Sequence, residues 1–422
     1  MDFNRFVNNF YIFLKKISVI ILEMIFKGDS SVNNKISFKT GTGAKIIFTS
    51  SGPIVPAVDP YLSVFNDDGS LFNFYDGETE VIVSSMAEYN CDPVGLSGGS
   101  SVTNLLFYSC APNTPFSILD TSDLTALTSL EFTTCGFLSN FSLLDTSGLT
   151  SLQNLLFSNC GYGGFVSTGV FSLPDTSGLT ALTNLSFTAC GFSDFSLPDT
   201  SGLTALTNLS FNSCGYSIFS LPDTSGLTSL INLSINNCGY YGNFSLDTSG
   251  LTALTSLYFE NCGLSNLSIF SPLPDTSSLT SLTNLSFINC GSNSFEFSDT
   301  SGLIALTSLS FNQCSLNGSF SISDTSGLTS LTSLSFSYCG YFGTFSLPNT
   351  AIKVGTLSSL TSLLIQNCGA TIQEAEILLI LEALDTAGNS NGTVTINRIS
   401  GTDTLATVIA SLEGKGWTIS IT

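Results

Sequence analysis

The sequence predicts an α/β solenoid: an arc of about eleven stacked repeats around one parallel β-sheet, with a small β-rich N-terminal domain or cap and an α/β C-terminal cap. Three observations predict it. A near copy of residues 179–190, LTALTNLSFTAC, recurs with its cysteine at Cys110, Cys135, Cys160, Cys190, Cys214, Cys238, Cys262, Cys290, Cys314, Cys339 and Cys368, at spacings of 24 to 30 residues. Within each copy the apolar residues fall as Leu-x-x-Leu-x-Phe-x-x-Cys, as in Leu206, Leu209, Phe211 and Cys214, so the middle of the frame alternates like a half-buried strand. Finally, nine of the eleven cysteines are followed by Gly, with Ala111 and Ser315 the exceptions, which marks a tight turn that a side chain would hinder. One repeat cannot bury its own apolar side, whereas stacked copies share a continuous core.

Past the turn a second apolar pair, Phe195 and Leu197, leads to Pro198-Asp199-Thr200-Ser201-Gly202. Asp, Thr and Ser in this order suit the capping of a short helical turn on the outer side, after which Leu203 re-enters the next strand. At roughly 4.8 Å per parallel strand the eleven copies form an arc on the order of 50 Å long. The frame resembles the leucine-rich repeat in its Cys-containing form, with Phe in the third slot, over residues 101–370. That resemblance implies that the Cys side chain bonds the loop backbone, so the eleven ladder cysteines are expected as free, buried thiols. The alternatives, a disulfide framework or a metal ladder, fit less well, because local CxxC pairs are absent. Cys91 stands outside the ladder and its state is open.

Composition narrows the function. The chain has 422 residues, 10% of them charged, a net charge of -21 and no histidine, and no Lys or Arg occurs between Lys45 and Lys353. Such a surface repels phosphate backbones, so no nucleic-acid partner is expected. Without His there is no Ser-His or Cys-His couple, and cysteines in a core slot have no base beside them, so no enzyme activity and no cofactor are expected.

Residues 1–27 are apolar but interrupted by Lys15, Lys16 and Glu23, too short a run for a membrane span. They read as an anchoring amphipathic helix, a signal segment, or an extension ahead of a true start at Met24. Any membrane contact is expected through them alone. Residues 28–100 alternate over 35–39, 44–50, 61–65, 71–75 and 80–85, which predicts strands. They are joined by turns at Gly41 and Gly43 and at Asp67-Asp68-Gly69. Nucleotide and calcium readings of these two turns are weaker than plain hairpins. This segment is expected to cap the solenoid or to attach it to other virion or surface proteins. Residues 371–422 predict a helix over 371–385 with Glu374, Glu376 and Glu382 on its wet side, a strand at TVTIN, a second helix in TLATVIASLEGKGW and a last strand WTISI. This tail resembles the segment that closes leucine-rich-repeat proteins of Bacteroidetes and of their phages.

Two surfaces and one edge compete for a function. An aspartate recurs once per repeat at Asp120, Asp145, Asp175, Asp199, Asp223, Asp247, Asp275, Asp299 and Asp324. Each is expected to cap its own turn. Stacked like charges are expected to raise these pKa values, so that acid adds stability. The outward strand positions are monotonous, as in Thr183, Asn184 and Ser186, and only Leu106, Tyr108, Glu131, Leu156, Tyr258, Glu260, Ile288, Tyr338 and Leu364 interrupt them. A regular Thr/Ser lattice also suits ice binding. The edge after Cys-Gly carries Tyr162, Phe165, Tyr216, Tyr240, Tyr241, Tyr341 and Phe342, and the three longest repeats, opening at Cys160, Cys262 and Cys339, place their additions there. The second residue after Cys is also a core slot, which would bury Tyr162, Tyr216, Tyr240 and Tyr341. The expected function is non-catalytic recognition or adhesion toward a protein or glycan receptor, on a virion or cell surface. The alternative is a structural spacer.

Overall fold

The computed structural model describes residues 36–37, 44–50, 63–65, 71–73, 81–85, 94–95, 102–108, 116–122, 124–163, 169–173, 175–197, 199–264, 273, 275–297, 299–322, 325–347, 357–369, 372, 374–397 and 404–422. Residues 1–27, the turns at 41–43 and 67–69, Cys91, Cys110, Phe165 and Asp324 lie outside them.

The repeat frame forms a parallel strand in every copy, from Val102–Tyr108 and Ser129–Thr133 through Asn184–Thr188 and Asn208–Asn212 to Ser362–Gln366. Pairing is in register: Leu185 lies opposite Leu209 and Phe187 opposite Phe211. Equivalent residues therefore stack on one another along the solenoid. Thr393–Ile396 and Thr418–Ile421 extend the sheet in parallel after the last repeat, and Ala44–Ser50 pairs antiparallel with Val102–Tyr108 before the first. The expected strands near 35–39, 61–65, 71–75 and 80–85 appear as Ile36–Ser37, Ser63–Phe65, Leu71–Asn73 and Val81–Ser85.

Two columns of phenylalanine run through a core otherwise built mostly of leucine. Phe132, Phe157, Phe187 and Phe211 from the main sheet stack with centroids 5.2–5.3 Å apart. Phe141, Phe171, Phe195 and Phe219 from the opposite wall stack at 5.4–5.9 Å. The columns meet edge to face, as Phe187 and Phe195 do at 5.1 Å and 65°. Offset-stacked and edge-to-face rings each contribute about 0.5–1.5 kcal/mol beyond their burial.

The outer wall differs from the expected helical turn. It consists of short strands, among them Phe141–Leu143, Asp194–Ser196, Ile218–Leu221, Asn243–Leu246, Ser294–Phe297 and Ser319–Ile322, paired in parallel within three separate sheets. Phe195 and Leu197 alternate with period two, which a strand satisfies and a helix does not. The DTSG segment then makes two tight turns, with Leu203 N–H donating to Thr200 O at 2.9 Å and Leu206 N–H to Leu203 O at 3.1 Å. The addition in the repeat opening at Cys339 also departs from the expected place. Its outer strand, Thr344–Ser346, starts five residues past the cysteine, near where the unlengthened repeats have theirs, so most of the extra length comes after it.

Helix α1, Glu374–Ala387, and helix α2, Ala406–Gly414, close the last repeat as the sequence predicts. Ile377, Ile380, Leu381 and Leu384 of α1 are buried, while Glu382 is exposed and Glu374 and Glu376 half-buried. The Lys415 amine holds the Asp385 carboxylate at 2.8 Å across the two helices, and Trp417 Nε1 donates to Asn389 O at 2.9 Å. Among the described residues no helix is long and apolar enough to cross a membrane.

Candidate recognition surface

The ten described ladder cysteines are free and buried. Each thiol donates to the carbonyl two residues earlier, as Cys190 Sγ does to Thr188 O at 3.4 Å, and several reach the preceding repeat, as Cys160 does to Phe132 O at 3.5 Å. Burial pushes the thiols of Cys160, Cys190, Cys238, Cys290 and Cys339 well above the usual range, so they are inert where they stand. Two left-handed residues flank each cysteine: the one before it has φ of 51–60° and the one after it 52–63°. Asn at positions 159, 237, 261, 289 and 367 was the readable sign of the first. Where Ser315 replaces the usual Gly, its hydroxyl is buried and finds no partner.

This double turn throws the second residue after Cys to the side of the molecule. There Phe137, Tyr162, Phe192, Tyr216 and Tyr240 form a continuous row, half-buried and not sunk in the core. Consecutive centroids are 5.3, 4.7, 5.0 and 4.9 Å apart, and only the Tyr162–Phe192 step is tilted. The core-slot expectation for Tyr162, Tyr216, Tyr240 and Tyr341 is therefore corrected: all four are half-buried, the first three by neighbouring rings of this row and Tyr341 among other rings. Phe137 and Phe192 belong to the row although the sequence did not single them out; their shared offset from Cys is the signal that finds them. Tyr241 stands perpendicular to Tyr216 and Tyr240 at 5.0 and 4.7 Å and is 63% exposed. Burial and the contact with Tyr241 push the Tyr216 phenol up to about 12, so it stays protonated. Tyr341 and Phe342 do not join this row. They form a second patch with Tyr338, at 4.6 and 5.5 Å, and Phe342 is 69% exposed. In the repeats between the two patches the slot holds Leu264, Ser292 and Leu316.

A groove runs beside the first row. Its other wall is the set of residues before each cysteine, Asn159, Ala189, Ser213 and Asn237. None of its lining residues carries a charge.

The outward face of the main sheet is occupied by its own polar ladder. Asn184 Nδ2 donates to Asn154 Oδ1, Asn208 to Asn184 and Asn232 to Asn208, each at 2.8 Å, and Thr207 Oγ1 donates to Thr183 O at 3.0 Å. Its principal irregularity is Glu260, whose Oε2 accepts from Asn236 Nδ2 and Tyr258 OH at 2.8 Å.

The aspartate ladder also bonds more than its own turn. Asp199 Oδ1 accepts from Ser201 N–H at 2.9 Å, while Oδ2 reaches the preceding repeat and accepts from Thr176 N–H at 3.1 Å and Thr176 Oγ1 at 3.2 Å. Asp145, Asp247 and Asp299 do the same with Thr121, Thr224 and Thr276. Partial burial pushes these four carboxyls up, and the hydrogen bonds outweigh it, leaving each below the usual carboxylate value. The expected rise from like-charge repulsion is thus reversed. Among the described residues no three Asp, Glu or Cys side chains come together as a metal site.

A family model described as BspA type Leucine rich repeat region matches the chain in six copies, over residues 165–277 and 272–374. No curated protein compared with the chain matches it.

Proposed function

The chain is a leucine-rich-repeat protein, and from that premise we propose that it is a non-catalytic recognition or adhesion module, displayed outside the cell or on a particle, that binds a protein or glycan receptor through its aromatic edge. Leucine-rich repeats serve protein interaction or adhesion, and the fold holds its surface rigid over many repeats. The observation that carries the reading is the aromatic edge itself. Tyr241 and Phe342 are the most exposed large aromatics among the described residues, each beside further rings, with no core of their own to fill. Exposed, clustered Tyr and Phe supply contact area at low entropic cost.

One observation favours the spacer alternative. The Asn side chains of the main sheet bond one another from Asn154 to Asn232, which leaves the shallow depression on that face, lined also by Leu156 and Tyr258, fewer free hydrogen-bonding groups for a partner. It is compatible with both readings, since a module that binds by its edge needs no ligand on its sheet. Residues 28–100 would then attach the solenoid to neighbouring surface proteins.

The test applies labelled full-length protein to an array of secreted glycoproteins. The Tyr241→Ser, Phe342→Ser double variant is expected to lose retention by about tenfold or more at an unchanged melting temperature, because truncating aromatic anchors costs about 2 kcal/mol or more at a binding hot spot. Ser186→Lys on the sheet face should leave retention intact. Retention that survives the double variant and fails with Ser186→Lys would place binding on the sheet.

A further inference from the structure

The groove beside the five-ring row has a pitch, a length and a charge, and together they select a class of ligand. Its rings repeat every 4.7–5.3 Å, one per solenoid repeat, from Phe137 to Tyr240. An extended peptide places same-side residues about 6.6 Å apart, twice its rise of roughly 3.3 Å, and falls out of step within two repeats. An extended 1,4-linked pyranose chain advances by about one solenoid repeat per sugar and stays in step, the repeat being set by the strand spacing of about 4.8 Å.

Charge points the same way. The groove lining is uncharged, on a chain of net charge -21 with no Lys or Arg between Lys45 and Lys353. An acidic polymer is repelled by the surrounding molecule, and a basic one finds no carboxylate in the groove to pair with. What the groove does offer is phenol hydroxyls on one wall and the amides of Asn159 and Asn237 on the other. These donate to and accept from hydroxyls, which is the chemistry of a neutral sugar. Most of the rings cover each other's faces, so the row contributes edges and hydroxyls. Tyr241, turned perpendicular at its end, is the ring that remains largely open.

We propose that this groove binds a linear, uncharged polysaccharide in extended form, one pyranose per repeat over five repeats, with Tyr241 at one end. The assignment rests on the edge being the recognition surface and names what that surface takes. Each subsite is weak by itself, and affinity accumulates along the chain as successive sugars bind without a new loss of overall motion.

Calorimetric titration of the full chain with β-1,4-linked oligomers of glucose, N-acetylglucosamine, mannose and xylose, from two to six units, tests this, with oligogalacturonate as the acidic control. At least one neutral series should gain about threefold or more per added unit up to five and then level off, with the acidic series weaker throughout. Tyr216→Ala, which interrupts the row at its fourth ring, should flatten the gain beyond the third unit. Affinity independent of length, or oligogalacturonate binding as tightly, would overturn the proposal. So would no binding to any neutral series. If the glycoprotein array is then still lost by the Tyr241→Ser, Phe342→Ser variant, the polysaccharide assignment fails and the edge stands. If the array is unaffected by that variant, both fail.

Discussion

Replacing Gly202 by Ala is expected to lower the melting temperature by about 5 °C, an effect larger than that of any single phenylalanine stacking contact. A Cβ built on Gly202 would meet Thr176 O at 1.6 Å and Thr176 C at 2.4 Å, both backbone atoms of the preceding repeat. Neither can rotate aside, so the two repeats must part. The Gly202 N–H bond to Thr176 Oγ1, 3.2 Å, is strained or lost with them. Ordinary overpacking costs about 1–3 kcal/mol, and a clash confined to backbone sits at or above the upper end. Gly148, Gly178, Gly226 and Gly327 meet the same atom of their neighbours at 1.6–1.7 Å. The chain itself departs from Gly at this position, with Asp123 in the first DTSG-type segment and Ser278 further along. At the Ser278 junction Thr248 is 6% exposed instead of fully buried and turns its hydroxyl to Asp275 O at 2.8 Å. Accommodation therefore opens the junction. Gly414→Ala is the control: nothing lies within 4 Å of its Cβ, and helix propensity favours Ala, so thermal unfolding should be unchanged or slightly improved. A Gly202→Ala protein melting within a degree or two of the parent would show that repeat contact is looser than described.

Acid is expected to destabilise the solenoid, with a loss of several degrees in melting temperature between about pH 5 and pH 2. Asp145, Asp199, Asp247 and Asp299 are held below their ordinary value of 3.8 in the folded state. A carboxyl whose folded pKa is depressed contributes stability above its unfolded value and loses it as pH falls through the folded one. Asp385 adds to this from the C-terminal cap, held low by hydrogen bonds from Lys415 and Ser411. Asp199→Asn keeps an acceptor for Ser201 but removes the charge facing Thr176, so it should be less stable at pH 7 and show a shallower pH dependence. A melting temperature that rises on acidification would mean that repulsion along the ladder dominates after all.

The strands were legible because Leu185 and Phe187 alternate within five residues, a distance over which sequence pattern and structure are the same thing. The two closing helices were legible for a similar local reason, with helix α1 at Glu374–Ala387 against an expected 371–385. What was not legible lies between repeats. The second bond of Asp199, to Thr176, joins residues 23 apart, and the need for Gly202 arises from the backbone of the neighbouring copy. From one repeat alone, DTSG reads as a helix cap. The aromatic edge was found through its tyrosines but taken as partly core, since burial by neighbouring copies of the same ring cannot be told from burial inside one repeat. The separation of Tyr341 and Phe342 from the main row was readable in Leu264, Ser292 and Leu316, once the offset from Cys is followed through every copy.

That recognition uses the edge and not the sheet is tested most directly by oxidative footprinting of the protein bound to a retained glycoprotein. Pepsin must replace trypsin in the mass-spectrometric readout, because no Lys or Arg lies between Lys45 and Lys353. Tyr241, the exposed ring set across the end of the first row, and Phe342 are predicted to lose reactivity on binding, while Tyr258 and Leu156 on the sheet keep theirs. Protection of Tyr258 and Leu156 with Tyr241 and Phe342 unchanged would contradict the account.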